Sequence, residues 1–126
     1  MAATTPNTRA HENLEALASR YVDAASLPWV PTRFKGVEIK VLMEDKETGL
    51  LTALTRFAAG AVLPDHEHVE LEQTYVLEGS LVDAEGVATA GNYVWRPRGS
   101  RHNAHSPMGC VALSFFLKPN RFFDTP

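Results

Sequence analysis

The chain has 126 residues, of which 44% are hydrophobic, 21% charged and 9% aromatic; this is the composition of one globular domain with one core, and it excludes a disordered or collagen-like chain. A formal net charge of −3 without a long Lys/Arg run argues against a surface that grips nucleic-acid backbones. Cys110 is the single cysteine, which rules out an internal disulfide or a Cys-x-x-Cys site, and no apolar run approaches the ~18–20 residues of a membrane span. No signal-peptide pattern opens the sequence, so the expectation is a cytoplasmic protein with no nucleic-acid and no membrane partner.

Residues 1–26 read as an N-terminal arm, disordered or partly helical, with Leu14, Leu17 and Tyr21 as one stripe of a short helix. The main domain is expected over residues 27–126. Pro28 and Pro31 bracket Trp29 and favour an extended lead-in, because proline excludes helix there. Val37, Ile39, Val41 and Met43 then alternate with Glu38, Lys40, Leu42 and Glu44, the period-two pattern of a half-buried strand. Asp45–Gly49 supplies a turn, and residues 50–57 read as the returning strand. Further short strands are expected at Thr74–Leu77, Ser80–Val82, Tyr93–Trp95 and Val111–Leu117, with a hairpin at Glu78-Gly79-Ser80. Many short strands separated by closely spaced glycines indicate an all-β sandwich or barrel.

Chemistry concentrates between residues 66 and 105, where four of the five histidines lie. His66 and His68 are two apart, so an extended strand presents both imidazoles on one face. Glu72 begins the next apolar stretch and His102 comes from a distant one. Three imidazoles and a carboxylate on separate strands suit a divalent transition metal, although a His-x-His pair beside Glu67 and Glu70 also fits a solvated acidic loop. Glu70 reads as a solvated carboxylate, His105 as a surface or rim residue, Cys110 as a buried inert thiol, and the Arg96, Arg98 and Arg101 cluster as a solvated rim. Tyr75, Tyr93, Trp95 and Phe57 suit either a ring-binding pocket or core packing.

The frame around these residues extends further. Gly60, His66, His68, Glu72 and Gly79 form one frame, and Gly91, Pro97, Gly99 and His102 form a second. Together they resemble the two motifs of the cupin superfamily, with Ser106 where those proteins commonly carry Asn. The resemblance implies an all-β, cupin-type double-stranded β-helix (jelly-roll) barrel carrying a short N-terminal arm, with His66, His68, Glu72 and His102 as the ligands of one divalent transition metal per chain. Iron is the favoured metal, with zinc, manganese or nickel as other occupants. Trp29-Val30-Pro31, Glu38–Leu42, Glu72–Gly79 and Phe116–Asn120 narrow the likeness to the cupin half of ChrR-type anti-sigma factors and to freestanding small cupins. In such anti-sigma factors a separate N-terminal domain with a His/Cys zinc site binds sigma; residues 1–26 carry His11 but no Cys, so no sigma-binding role by that mechanism is expected of them.

The resemblance implies two functional classes. One is a non-haem metal-dependent dioxygenase acting on a small ketone, diketone or aromatic compound; the other is a non-redox zinc-binding module that senses or binds a small ligand. A homodimer is the expected assembly, with residues 27–30 and the Phe-rich C-terminus as spare apolar surface.

Overall fold

The β-forming stretches meet in one curled antiparallel sheet. In the computed structural model, which describes residues 3–123, the strands are β1 (Ala3–Thr4), β2 (Val30–Pro31), β3 (Val37–Asp45), β4 (Leu50–Phe57), β5 (Val62–Glu67), β6 (Glu72–Val82), β7 (Val87–Thr89), β8 (Tyr93–Arg96), β9 (Arg101–His105), β10 (Cys110–Phe116) and β11 (Arg121–Phe122). Neighbours run β1-β3-β4-β10-β6-β9-β5-β11, with β2 beside β3 and both β7 and β8 beside β6. This is the expected all-β jelly-roll barrel.

Closure of the barrel depends on β6, which serves both of its layers. Its first half pairs with β10 and β8; its second half pairs with β7 and, at Val82, with β9. The expected break into two strands with a hairpin at Gly79 is therefore corrected: the strand runs through, with a register shift opposite Val111 and Ala112. Gly79 has φ +73°, and a Cβ there would lie 1.9 Å from the Gly109 carbonyl oxygen. Only glycine allows both that backbone conformation and that approach, so the residue marks a bulge inside a strand.

The core consists of Val37, Phe57, Ala61, Val76, Cys110 and Ala112, with Phe34, Leu63, Leu81 and Ala88 packed against it. Period-two alternation sends Glu72, Thr74 and Val76 of β6 inward while Tyr75 and Leu77 stay exposed. Cys110, Ala112 and Ser114 of β10 are likewise buried. Along both strands the interior thus changes from apolar to polar.

The arm differs from its expected form. Residues 5–23 make turns and no α-helix, followed by a single 3-10 turn at Ala24–Ser26. Leu14, Leu17 and Tyr21 are exposed, so the stripe has no surface to pack on, and a helix this short does not hold in water unaided. The arm is instead fastened to the sheet at both ends. Ala3 and Thr4 pair with Asp45 and Glu44, and the Lys40 ammonium donates to the Ala24 carbonyl at 2.8 Å. Residues 1–2 of the arm and 124–126 of the main domain lie outside the described residues.

Two apolar residues expected to be spare for a second copy are used within the chain: Leu27 is buried, and Phe122 packs against Phe34 and His66. No helix among the described residues is long and apolar enough to cross a membrane.

Candidate metal centre

Sheet register assembles the polar end of the barrel. His66 on β5 stands directly opposite His102 on β9, and Glu72 on β6 stands directly opposite Arg96 on β8, so each pair shares a face. His68 follows the end of β5. Its amide donates to the Ser100 carbonyl at 2.8 Å, and the Gly99 amide returns a bond to the His68 carbonyl at 2.8 Å. The turn at Pro97–Ser100, with Gly99 at φ +85°, thus ties the two sequence frames together.

One ring nitrogen from each of His66, His68 and His102 lies within 4.8 Å of those of the other two. His66 and His68 are 1% exposed. Glu72 adjoins the group through Oε2, which is 3.1 Å from His68 Nε2.

Hydrogen bonding at the far side of each ring fixes which nitrogen is bare. His66 Nδ1 is 2.7 Å from the Pro64 carbonyl, which can only accept. His68 Nδ1 meets the Ser100 carbonyl at 3.0 Å and the Ser100 Oγ at 2.8 Å, and that hydroxyl gives its proton to the Pro97 carbonyl at 2.6 Å. His102 Nδ1 is 2.9 Å from Asp83 Oδ2. In every case Nδ1 must be the donor, so each neutral ring carries an unprotonated Nε2. His68 Nε2 is buried without a hydrogen-bond partner, and the oxygen it faces is Glu72 Oε2 at 3.1 Å. Lone pairs crowded in this way call for a cation, and backbone or carboxylate support at Nδ1 is the usual arrangement behind a metal-bound imidazole. The donor set therefore fits a divalent transition metal.

Burial disfavours charge on two of the rings, His102 and His66. Burial pushes the His102 pKa down to about 4, aided by the nearby Arg96 charge and opposed by the Asp83 hydrogen bond. His66 is also lowered, by burial first and further by His68 and Arg96, against the pull of the Pro64 carbonyl and of Glu72. Burial alone would raise the Asp83 carboxyl, but His102, the Glu85 and Gly86 amides and Arg96 together hold it below its ordinary value.

Asp83 and Arg96 went unseen as a pair in the sequence. Arg96 Nη1 is 2.7 Å from Asp83 Oδ2 and its Nε is 4.0 Å from Glu72 Oε2, so this guanidinium is buried between two carboxylates and is not the rim residue expected. Arg98 and Arg101 do lie at the surface, paired with Glu70 and Asp65. The burial of Arg96 follows from the register that sets it opposite Glu72 across β6 and β8, which no local pattern reveals. Ser106 is fully buried and bonds the Ser80 carbonyl at 2.6 Å, which makes it a staple between strands. His105 is exposed. Cys110 is buried, and burial raises its thiol to about 11. Tyr75, Tyr93 and Trp95 are exposed; Phe57 is in the core.

Two spaces reach the histidines. An interior cavity of about 50 Å³ is lined by His66, Glu72, His102, Arg96, Phe57 and Phe116, among others. An open crevice of about 410 Å³ reaches His68 and His102 past Asp83, Tyr93, Trp95 and Arg101.

Residues 17–119 match the family described as the ChrR cupin-like domain. Among solved structures, the chain is similar to an acetylacetone dioxygenase from Acinetobacter johnsonii, with 24% identity over 89% of this chain and 83% of that one and a TM-score of 0.78. It is also similar to the polyketide cyclase RemF from Streptomyces resistomycificus, with 20% identity, coverage of 86% and 88%, and a TM-score of 0.68. A third likeness is to the Rhodobacter sphaeroides complex of SigE with the anti-sigma ChrR, with 25% identity over 72% of this chain and 50% of that one and a TM-score of 0.63. No curated protein matches the chain. One fold thus carries three different roles, and the likeness by itself assigns none of them.

Proposed function

From the premise that this chain belongs to the ChrR cupin-like family, we propose that it is a non-haem, metal-dependent dioxygenase acting on a small ketone or diketone. His66, His68, His102 and Glu72 would hold one divalent metal, with iron foremost. The observation that carries this reading is the convergence of three buried imidazoles whose Nδ1 atoms are all spoken for. Its likeness to the acetylacetone dioxygenase supports the choice of reaction. With these four donors, a metal that accepts more than four ligands would still have room for a small ligand.

A bound metal would supply Lewis acidity and, if iron, electron exchange with oxygen. The chain's own residues do the rest. Asp83 holds the His102 ring through Nδ1 and is itself held by Arg96 and two backbone amides. Phe57, Leu63 and Phe116 wall the interior cavity and limit its water. On a scale where one water needs roughly 10–15 Å³, about 50 Å³ accommodates a compact ligand and not an aromatic ring.

The test is oxygen uptake by metal-stripped protein reloaded with Fe(II) or Zn(II), with acetylacetone as substrate. Uptake with iron and none with zinc is the expected result; no uptake and intact diketone with both metals contradicts the reading. One observation favours the second reading, a zinc-binding module that senses a small ligand. Glu72 Oε2 lies 3.1 Å from His68 Nε2, ready to complete a closed tetrahedral set. A second copy of the chain remains the proposed partner, now on the outer sheet face where Tyr75, Leu77, Tyr93 and Trp95 are exposed.

A further inference from the structure

A permanent cation is buried beside a site whose donors suit a cation. The Arg96 side chain is 10% exposed, with Nη1 2.7 Å from Asp83 Oδ2 and Nε 4.0 Å from Glu72 Oε2. A guanidinium keeps its charge in any protein setting. Despite burial, His102, the Glu85 and Gly86 amides and Arg96 hold the Asp83 carboxyl below its ordinary value, so it stays ionised. Glu72 would ligate a metal as a carboxylate, and the histidines as neutral rings.

Two carboxylates against one guanidinium leave the protein groups at −1, and a divalent metal brings the centre to +1. Without Arg96 the same ion would just cancel the two carboxylates. Other charges nearby leave this count unaltered. Arg101 is paired with Asp65 through Nε and Nη2 and lies over the Phe123 ring at 3.8 Å. Arg98 pairs with Glu70, Glu67 stands opposite Arg101, and Glu85 is exposed to water.

A net charge in a low-dielectric interior is costly unless a partner of opposite sign joins it. The loaded centre thus calls for one anion. A full charge acts across several ångströms without direct contact, and Arg96 borders both spaces that reach the histidines. A neutral ketone would become an anion only by giving up a proton, and the bases here are engaged. The imidazoles and Glu72 are donors to the metal, while Asp83 already accepts from His102 and two amides. A carboxylate arrives charged.

We propose that Arg96 sets the charge of the metal centre and thereby selects, as substrate, a small ketone that carries a carboxylate over a neutral one. The metal and the ketone rest on the reading above, whereas the charge preference is measured apart from turnover.

Pyruvate and pyruvamide share the ketone and the number of non-hydrogen atoms, and differ by O⁻ against NH₂. Both are titrated calorimetrically under nitrogen into Fe(II)-loaded wild type, Arg96→Met and Arg96→Lys. Metal affinity is read in parallel by competition with a chelating dye. Wild type should prefer pyruvate. Arg96→Met should weaken pyruvate binding about tenfold and leave pyruvamide within about twofold. Metal affinity should rise in that variant, because a repelling cation has gone while two amides still hold Asp83 on His102. Arg96→Lys retains the charge and should keep the wild-type preference. A merely structural Arg96 would instead lower metal affinity and weaken both ligands together.

Should Arg96→Met fail to fold, Arg96→Gln makes the same comparison. Equal affinities in wild type, no binding of pyruvate, a preference that survives removal of the charge, its loss in Arg96→Lys, or a fall in metal affinity overturns the proposal. Oxygen does not enter these measurements. The preference without oxygen uptake in the acetylacetone assay overturns the dioxygenase reading and leaves Arg96 in its role; uptake without the preference does the reverse.

Discussion

Val76 and Glu72 lie on the same inward face of β6, yet their surroundings differ in kind. Val76 packs into a cluster with Val37, Phe57, Cys110 and Ala112, where filling volume is enough. Glu72 meets His68 and stands opposite Arg96, beyond which Asp83 and His102 continue the chain of contacts. Buried charges are costly unless partnered, and here Arg96 lies between two carboxylates while three imidazoles converge with their Nδ1 atoms already engaged. The apolar end can stabilise the fold by itself. The polar end offers the donor set for a cation, so the two regions should respond to different perturbations.

The largest effect expected is at the apolar end. Phe57→Ala should cost about 3–5 kcal/mol of unfolding free energy, read by urea denaturation of metal-stripped protein, while any folded fraction still binds metal. His102→Ala should do the reverse. It should lower metal affinity well beyond the roughly 10–100-fold typical of losing a supporting hydrogen bond, as measured by competition with a chelating dye, and change metal-free stability by less than about 1 kcal/mol. A stability loss equal to that of Phe57→Ala would dissolve the distinction between the two regions. Asp83→Asn removes the carboxylate that holds His102 in its tautomer, and metal affinity should fall roughly 10–100-fold with the ligand count unchanged.

The smallest effect is on pH dependence. His102 titrates at about 4 in the fold and His66 is also lowered, whereas an unfolded imidazole titrates near ~6.5. Between those values the unfolded chain binds protons that the fold refuses, so the contribution to stability is complete above about 6.5 and is lost as pH falls towards 4. Urea midpoints of metal-stripped protein should decline over that window, less steeply in His102→Ala. Identical slopes in the two proteins would show that His102 is not held neutral by its site.

How much of this was legible in the sequence follows from the range of each signal. His66 and His68 share a face through local parity, whereas the grouping of His102 and Glu72 with them came from the likeness of the glycine and proline frames to the two cupin motifs. The contact from Asp83 to His102 carried no such signal. It depends on β6 continuing through Gly79, and a glycine flanked by polar residues reads locally as a turn. Arg96 shared that fate, because its burial follows from pairing opposite Glu72 across a sheet. The expected helix near Leu14 and Leu17 failed for the opposite reason: a local stripe was present but the fold provides no surface to bury it.

The most direct measurement is an X-ray absorption spectrum at the edge of the metal bound to the wild-type protein, counting imidazoles from their outer-ring scattering. The account predicts three imidazoles through nitrogen with one carboxylate oxygen, and two imidazoles in His102→Ala if any metal is retained. Fewer than three in wild type, or an unchanged count in the variant, would contradict the assignment of His66, His68 and His102 to a single metal.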